Sequence, residues 1–403
     1  MSGSGDSISL EVSDVNLSKL EQFTEACSKL DKRGIVMHEK RCLRKRHLHS
    51  SCMLCSAVCP SGAISCSDGL VFLAEKCTGC GACTSVCPSG ALVVKQPSNK
   101  ELRSLVALHV QNSGAVAFAC EAYLKAHPAE RPRAIALQCT ARCDESILVD
   151  AVLQGATNVS ILNVSCADCL QNKVCGQIQT MADTANRLLE CWKYSAVIAL
   201  TQKIPEKIKP LPISEGEAIG MSRRAFLAAF KRKGESLFSQ VLPEIIFGTV
   251  GKPPESSNVL RNPMEESKYL PDKWSSLVNS LIQLRNMAVI TDFQSSLWGD
   301  ISIADSCNGC GACADVCPTG ALVICKQDSF WRISLDVSRC TQCGLCKDVC
   351  CCDSIEFIST VALSAILAQT LQVRIVKRQA EIDSLFEPLE QRMARLLGCE
   401  VKK

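Results

Sequence analysis

Apolar and polar positions change rhythm several times along the chain. Between residues 101 and 201, apolar runs of strand length alternate with helical patterns. Ala115–Cys120, Ala134–Cys139, Val159–Val164 and Ala196–Leu200 read as buried strands, while Asp144–Leu153 and Gln177–Trp192 carry apolar residues at helical spacing. Strand–helix alternation predicts a small α/β domain built on a parallel sheet. Residues 1–40 read as a polar start followed by a short amphipathic helical segment. Residues 202–300 are rich in Lys, Pro, Ser and Glu and read as a helical or irregular linker, with helical patches such as Arg223–Lys233. Residues 360–403 mix apolar and charged positions with few breakers, which predicts a C-terminal helical tail. The stretches 41–98 and 301–359 hold dense arrays of cysteine.

Cysteine changes the picture. The chain has 29 among 403 residues. A secreted disulfide scaffold is typically short and follows a signal peptide. Here the chain is long, and its start has neither a basic n-region nor an apolar h-region. The thiols are therefore expected to be reduced, cytoplasmic and mostly metal-bound. Hydrophobic residues at 47% and charged residues at 21% are enough for a buried core. A net charge of +3 and 4% aromatics give no nucleic-acid surface. No direct membrane insertion is expected, because the best apolar stretch, Val361–Val373, is short and contains Ser364, Gln369 and Gln372. Ser222–Leu227 imitates a twin-arginine signal, but it is internal and Lys231–Lys233 interrupts it, so it reads as a helix start with Ser222 as N-cap. No G-x-G-x-x-G, P-loop or hydrolase constellation occurs, and no catalytic residue is assigned.

Cys77, Cys80, Cys83 and Cys87-Pro88 repeat almost letter for letter as Cys307, Cys310, Cys313 and Cys317-Pro318. C-x2-C-x2-C-x3-C-P is the bacterial ferredoxin run: three thiolates of a tight loop hold one [4Fe–4S] cube, and the fourth reaches the other cube of the pair. Cys340, Cys343, Cys346 and Cys350 form a second C-terminal run, followed by Cys351 and Cys352 where Pro is usual. The crossed arrangement gives one cube to Cys307, Cys310, Cys313 and Cys350, and another to Cys340, Cys343, Cys346 and Cys317. Near the N-terminus, Cys52, Cys55 and Cys59-Pro60 lack a first cysteine, since His49 stands in its place. Either His49 or His47 is an unusual ligand, or Cys42 reaches in from upstream. Thiolate ligation is the commoner solution, so Cys42, Cys52, Cys55 and Cys87 form the expected set, with Cys77, Cys80, Cys83 and Cys59 for the next cube. Residues 42–95 and 305–358 thus resemble the two-cluster bacterial ferredoxin family. The resemblance implies α+β ferredoxin-like dicluster modules flanking the α/β domain, each with two short hairpins and two helices around its cluster pair, and four [4Fe–4S] clusters in all. Zinc also takes four thiolates, but zinc ribbons rarely show three cysteines at three-residue steps followed by Cys-Pro.

Cys120, Cys139, Cys143, Cys166 and Cys169 follow the ends of three predicted strands, with Cys175 soon after. The carboxyl edge of a parallel sheet is where ligands bind. The competing reading makes these thiols small apolar core residues. The stretch is similar to the small iron–sulfur subunit of methyl-viologen-reducing hydrogenases, on Cys120, the Cys139 region, Leu153-Gln-Gly155-Ala156 and the pair Cys166 and Cys169. That resemblance implies an additional [2Fe–2S] cluster. The expected function is a polyferredoxin-like subunit relaying single electrons to or from a partner oxidoreductase. Two rivals stand beside it: a redox sensor using its thiols as a switch, and a self-contained reductase with a substrate site in the α/β domain. The basic run Lys40–His49 is either a solvated face or a docking patch for an acidic partner.

Overall fold

A computed structural model describes residues 34–66, 70–163, 166, 169, 171–194, 197–211, 268–284, 290–327 and 330–378. The twin-arginine-like segment, the Arg223–Lys233 patch, the expected helix ahead of residue 34 and the tail beyond residue 378 lie outside the described residues.

The middle of the chain forms a four-stranded parallel sheet of strands β1 (Val116–Cys120), β2 (Ile135–Leu137), β3 (Val159–Leu162) and β4 (Ile198–Thr201). Spatial order is β2-β1-β3-β4, so the chain leaves β1 to one side and returns past it to β3. Alternation along β1 decides the two faces. Val116 and Phe118 pack with helices α1 (Asn99–Ser113), α2 (Glu145–Leu153) and α3 (Cys175–Glu190). The small Ala117 and Ala119 pack instead with Tyr123, Leu124, Ile204 and Ile208. Full burial of a side chain such as Phe118 contributes about 1.5–3 kcal/mol.

Two helix starts show the local logic. Ser98 caps α1 in a reciprocal box: its hydroxyl accepts from the Glu101 N–H, and the Glu101 carboxylate accepts from the Ser98 N–H at 2.7 Å. Asp144 caps α2, its carboxylate accepting from the N–H groups of Ser146 and Ile147 at 3.0 and 3.2 Å.

Each cysteine-rich module has the same plan. In the first, Ile35–Met37 pairs antiparallel with Leu92–Val94, Ile64–Ser65 pairs with Val71–Phe72, and two five-residue helices, Leu54–Val58 and Ala82–Val86, carry cysteines. In the second, Asp300–Ile303 pairs with Ile355–Ile358 and Leu322–Gln327 with Phe330–Leu335, beside helices Ala312–Val316 and Leu345–Asp348. Only the inner pair of each module is a hairpin. The outer pair joins the module's first and last segments.

Two expectations are corrected. Residues 35–37 are strand, not helix, because Leu92–Val94 offers them a backbone partner. Residues 360–378 are not one helix: Thr360–Ala362 pairs with Asp292–Gln294, a short helix follows at Leu363–Ala368, and Gln372–Arg378 adds a third strand beside Phe330–Leu335. An open sheet edge elsewhere in the chain supplies those hydrogen bonds, which local periodicity does not register.

The expected linker contributes helix α4 (Asp272–Gln283), which buries Trp274, Leu277, Val278 and Leu281. One continuous apolar core includes Cys80 and Ala82 of the first module, the α1–α3 face of the sheet, α4, and Cys346 and Leu335 of the second module. Lys273 fastens this junction. Its Nζ lies 2.5 Å from Glu145 Oε2 and donates to the Ser85 carbonyl at 3.0 Å.

Candidate metal centres

In the first run, Gly81 takes φ +80° at the helix start, and Gly311 and Gly344 repeat this in the C-terminal runs. The left-handed turn swings the following cysteine back beside the preceding two. Gly81 has a second reason to lack a side chain: an added Cβ would sit 2.7 Å from Arg142 Cδ of the α/β domain. Where the first run has Gly79, the last has Gln342, which holds φ +51° without being glycine. Its side-chain amide donates to the Ser295 and Trp298 carbonyls, and these anchors offset the strain.

The folded chain gathers the expected thiols into quartets. Cys42, Cys52, Cys55 and Cys87 line one small cavity (quartet A). Cys59, Cys77, Cys80 and Cys83 lie close enough for their charges to act on one another (quartet B). Cys317, Cys340, Cys343 and Cys346 line a second small cavity (quartet C), and Cys307, Cys310, Cys313 and Cys350 a third (quartet D). Each quartet takes three thiols from one segment and one from another. Neither His47 nor His49 lines the first cavity; Cys42 does. So does Cys66, a buried thiol that sequence reasoning missed. At the other end Cys350 and Cys352 line the quartet D cavity, while Cys351 is exposed.

The protein shields most of these thiols from water. Burial, reinforced by neighbouring cysteines, raises Cys55, Cys83 and Cys346 strongly. It pushes Cys313 and Cys343 up to about 12, and Cys340 to about 11. Four such groups ionise together only when positive metal replaces their protons. Backbone N–H groups already point at several sulfurs: Ala91 at Cys87 (3.3 Å), Gly309 at Cys307 (3.5 Å) and Ser354 at Cys350 (3.3 Å). At Cys59, burial raises the pKa, but hydrogen bonds from Ser61, Ile64 and Ala63 outweigh it and the net shift is downward. Donors of this kind hold thiolate charge and tune the potential of a bound cluster.

Among the described residues, no three His, Cys, Asp or Glu side chains converge as they would on a single metal ion. A tetrahedral zinc with bonds of about 2.3 Å would draw its four sulfurs to within about 4 Å of each other. Residues 70–93 and 301–323 match the family model of the 4Fe-4S binding domain. Two segments of the chain are thus similar to 4Fe–4S binding domains. No curated protein matches it. The two matched segments contain Cys77–Cys87 and Cys307–Cys317; the runs at Cys42–Cys59 and Cys340–Cys350 lie outside them. Iron–sulfur electron transfer is the chemistry these domains serve. No helix among the described residues is long and apolar enough to cross a membrane.

The sheet edge holds the remaining candidates. Cys120 ends β1, and its sulfur accepts from the Tyr123 N–H at 3.4 Å. The charges of Cys120 and Cys166 both act on Cys139, and those of Cys175, Cys120 and Cys169 act on Cys166. These five thiols gather at the carboxyl ends of β1, β2 and β3, where the strand order reverses. Cys143 does not join them in the open: it is fully buried in the apolar core, where desolvation raises its thiol strongly. Cys175, at the start of α3, is half-buried and acts on Cys166 instead.

Proposed function

We propose that this chain is a polyferredoxin-like electron-transfer subunit holding four [4Fe–4S] clusters in quartets A to D. It passes single electrons to or from a partner oxidoreductase in the cytoplasm. The observation that carries this reading is the crossed grouping of sixteen cysteines into four sets, three of which each line a cavity, while the thiols of the fourth lie within electrostatic range of one another. The thiols around Cys139 at the sheet edge suit a smaller centre, a [2Fe–2S] cluster held by four of Cys120, Cys139, Cys166, Cys169 and Cys175. The chain's own residues bind and shield the clusters, and their N–H donors set how readily each accepts an electron.

The test is iron and sulfide per chain on anaerobically purified protein, with EPR of the reduced form. Four cubes require about sixteen irons and the sheet-edge centre about two more. Colourless protein, or zinc in place of iron, would falsify the reading. Activity on a substrate without any partner would favour a self-contained reductase instead.

A further inference from the structure

The two modules come together on one particular side of each. Ser51, beside Cys52 of quartet A, meets Asp348 of the run that supplies quartet C. The Ser51 N–H donates to Asp348 Oδ2 at 2.8 Å, and its hydroxyl to Oδ1 at 2.9 Å. A second bridge runs through the segment just before α4. Gly90, in the turn after Cys87, lies against Tyr269 and Pro271, where an added Cβ would fall 2.9 Å from the Tyr269 ring. The Tyr269 N–H donates at 2.7 Å to the carbonyl of Pro318, in the equivalent turn after Cys317. Arg41, next to Cys42, stacks on the same ring, 3.6 Å from its centroid. Pro88 lines the quartet A cavity and Pro318 the quartet C cavity, so Tyr269 bridges turns that border the two sites. Cys52 of quartet A lies within electrostatic range of Cys343 of quartet C.

We propose that this seam is an electron junction, joining the two cysteine-rich modules into one relay with the order B–A–C–D. The inference rests on the cluster-binding reading above. Within each module, Cys55 is near Cys83 and Cys313 near Cys346, which completes the path. Cys139 near Cys80 brings the sheet edge to its B end. At the D end Cys310 is exposed. Entry and exit therefore lie at the sheet edge and at Cys310. In each transfer, the site losing an electron is oxidised by one unit and its neighbour reduced by one; an external one-electron reductant supplies the first electron.

EPR of dithionite-reduced full-length chain tests the order. One variant, Cys307→Ala/Cys310→Ala, empties quartet D. A second adds Cys340→Ala/Cys343→Ala, emptying C as well. Iron content, falling by about four per emptied site, reports loading independently of the relay. The expected result is that the first variant's spectrum is not the sum of the second's and one isolated cube, because A and C couple magnetically. A simple sum overturns the junction while leaving the cluster reading intact. If either variant fails to load, power saturation of the unmodified protein is compared with Ser51→Lys/Asp348→Lys, whose like charges force the seam apart. Slower relaxation of the N-terminal signal in that variant supports the junction, and unchanged relaxation overturns it.

Discussion

Replacing Lys273 with Met is expected to loosen all three parts of the molecule at once. Lys273 and Glu145 are 9% and 6% exposed, so neither charge is appreciably solvated in the folded state. Glu145 Oε2 has no hydrogen-bond partner besides this ion pair. Met preserves the bulk of the lysine stem but leaves the carboxylate buried without a counter-charge, and the Ser85 carbonyl without its donor. Breaking one side of a buried pair costs about 3–5 kcal/mol. Against a domain stability of about 5–15 kcal/mol, that is a large fraction. Urea unfolding of the iron-loaded protein, followed by tryptophan fluorescence and by visible absorbance, measures it. The double variant Lys273→Met/Glu145→Leu removes both charges and is expected to return close to the parent, since an apolar replacement of a buried pair is often neutral. A single variant within about 1 kcal/mol of the parent would match an exposed pair and refute the burial argument. So would a double variant as weak as the single.

Three further outcomes follow from named contacts. His109 is buried in α1 with Nδ1 unpartnered, and burial lowers its pKa to about 4. The unfolded chain takes up that proton from about pH 6.5 downward and the folded chain does not, so stability falls by about 3 kcal/mol between pH 6.5 and 4. His109→Leu should flatten the decline in unfolding midpoint over that window, and an unchanged slope would contradict the assignment. Gly81→Ala should cost about 1–2 kcal/mol in left-handed strain alone, more with the clash at Arg142, and a midpoint equal to the parent's would show that the turn relaxes freely. Cys42→Ser should lower iron by about four per chain while Cys66→Ser leaves it unchanged; the reverse pattern would make Cys66 the ligand.

Much of the site could be read from spacing because the tight loop is local chemistry. Three thiols at three-residue steps with intervening glycines specify their own geometry, and Cys77, Cys80 and Cys83, like Cys307, Cys310 and Cys313, stand together. The sheet strands were equally legible: β1 to β4 fall within a residue or two of the apolar runs, because a strand covered on both faces must be apolar throughout. Cys66 carried no such signal. It lies between two short strands with no partner at motif spacing, and only the hairpin's return brings it into the quartet A cavity. Cys143 stood at a strand end like Cys139, yet the 3-10 turn Thr140–Arg142 carries it into the core.

What the amino-acid order determined on its own is the set of elements that close on themselves: cysteine loops, capped helices and strand-length apolar runs. Each depends on residues within a turn or two of one another. Tertiary structure alone decided which quartets are neighbours. The meeting of Ser51 with Asp348, of Tyr269 with both Cys-Pro turns, and of Lys273 with Glu145 and Ser85 joins segments far apart along the chain. Burial of shared apolar surface selects those pairings, and it is a property of the assembled core that no local window contains.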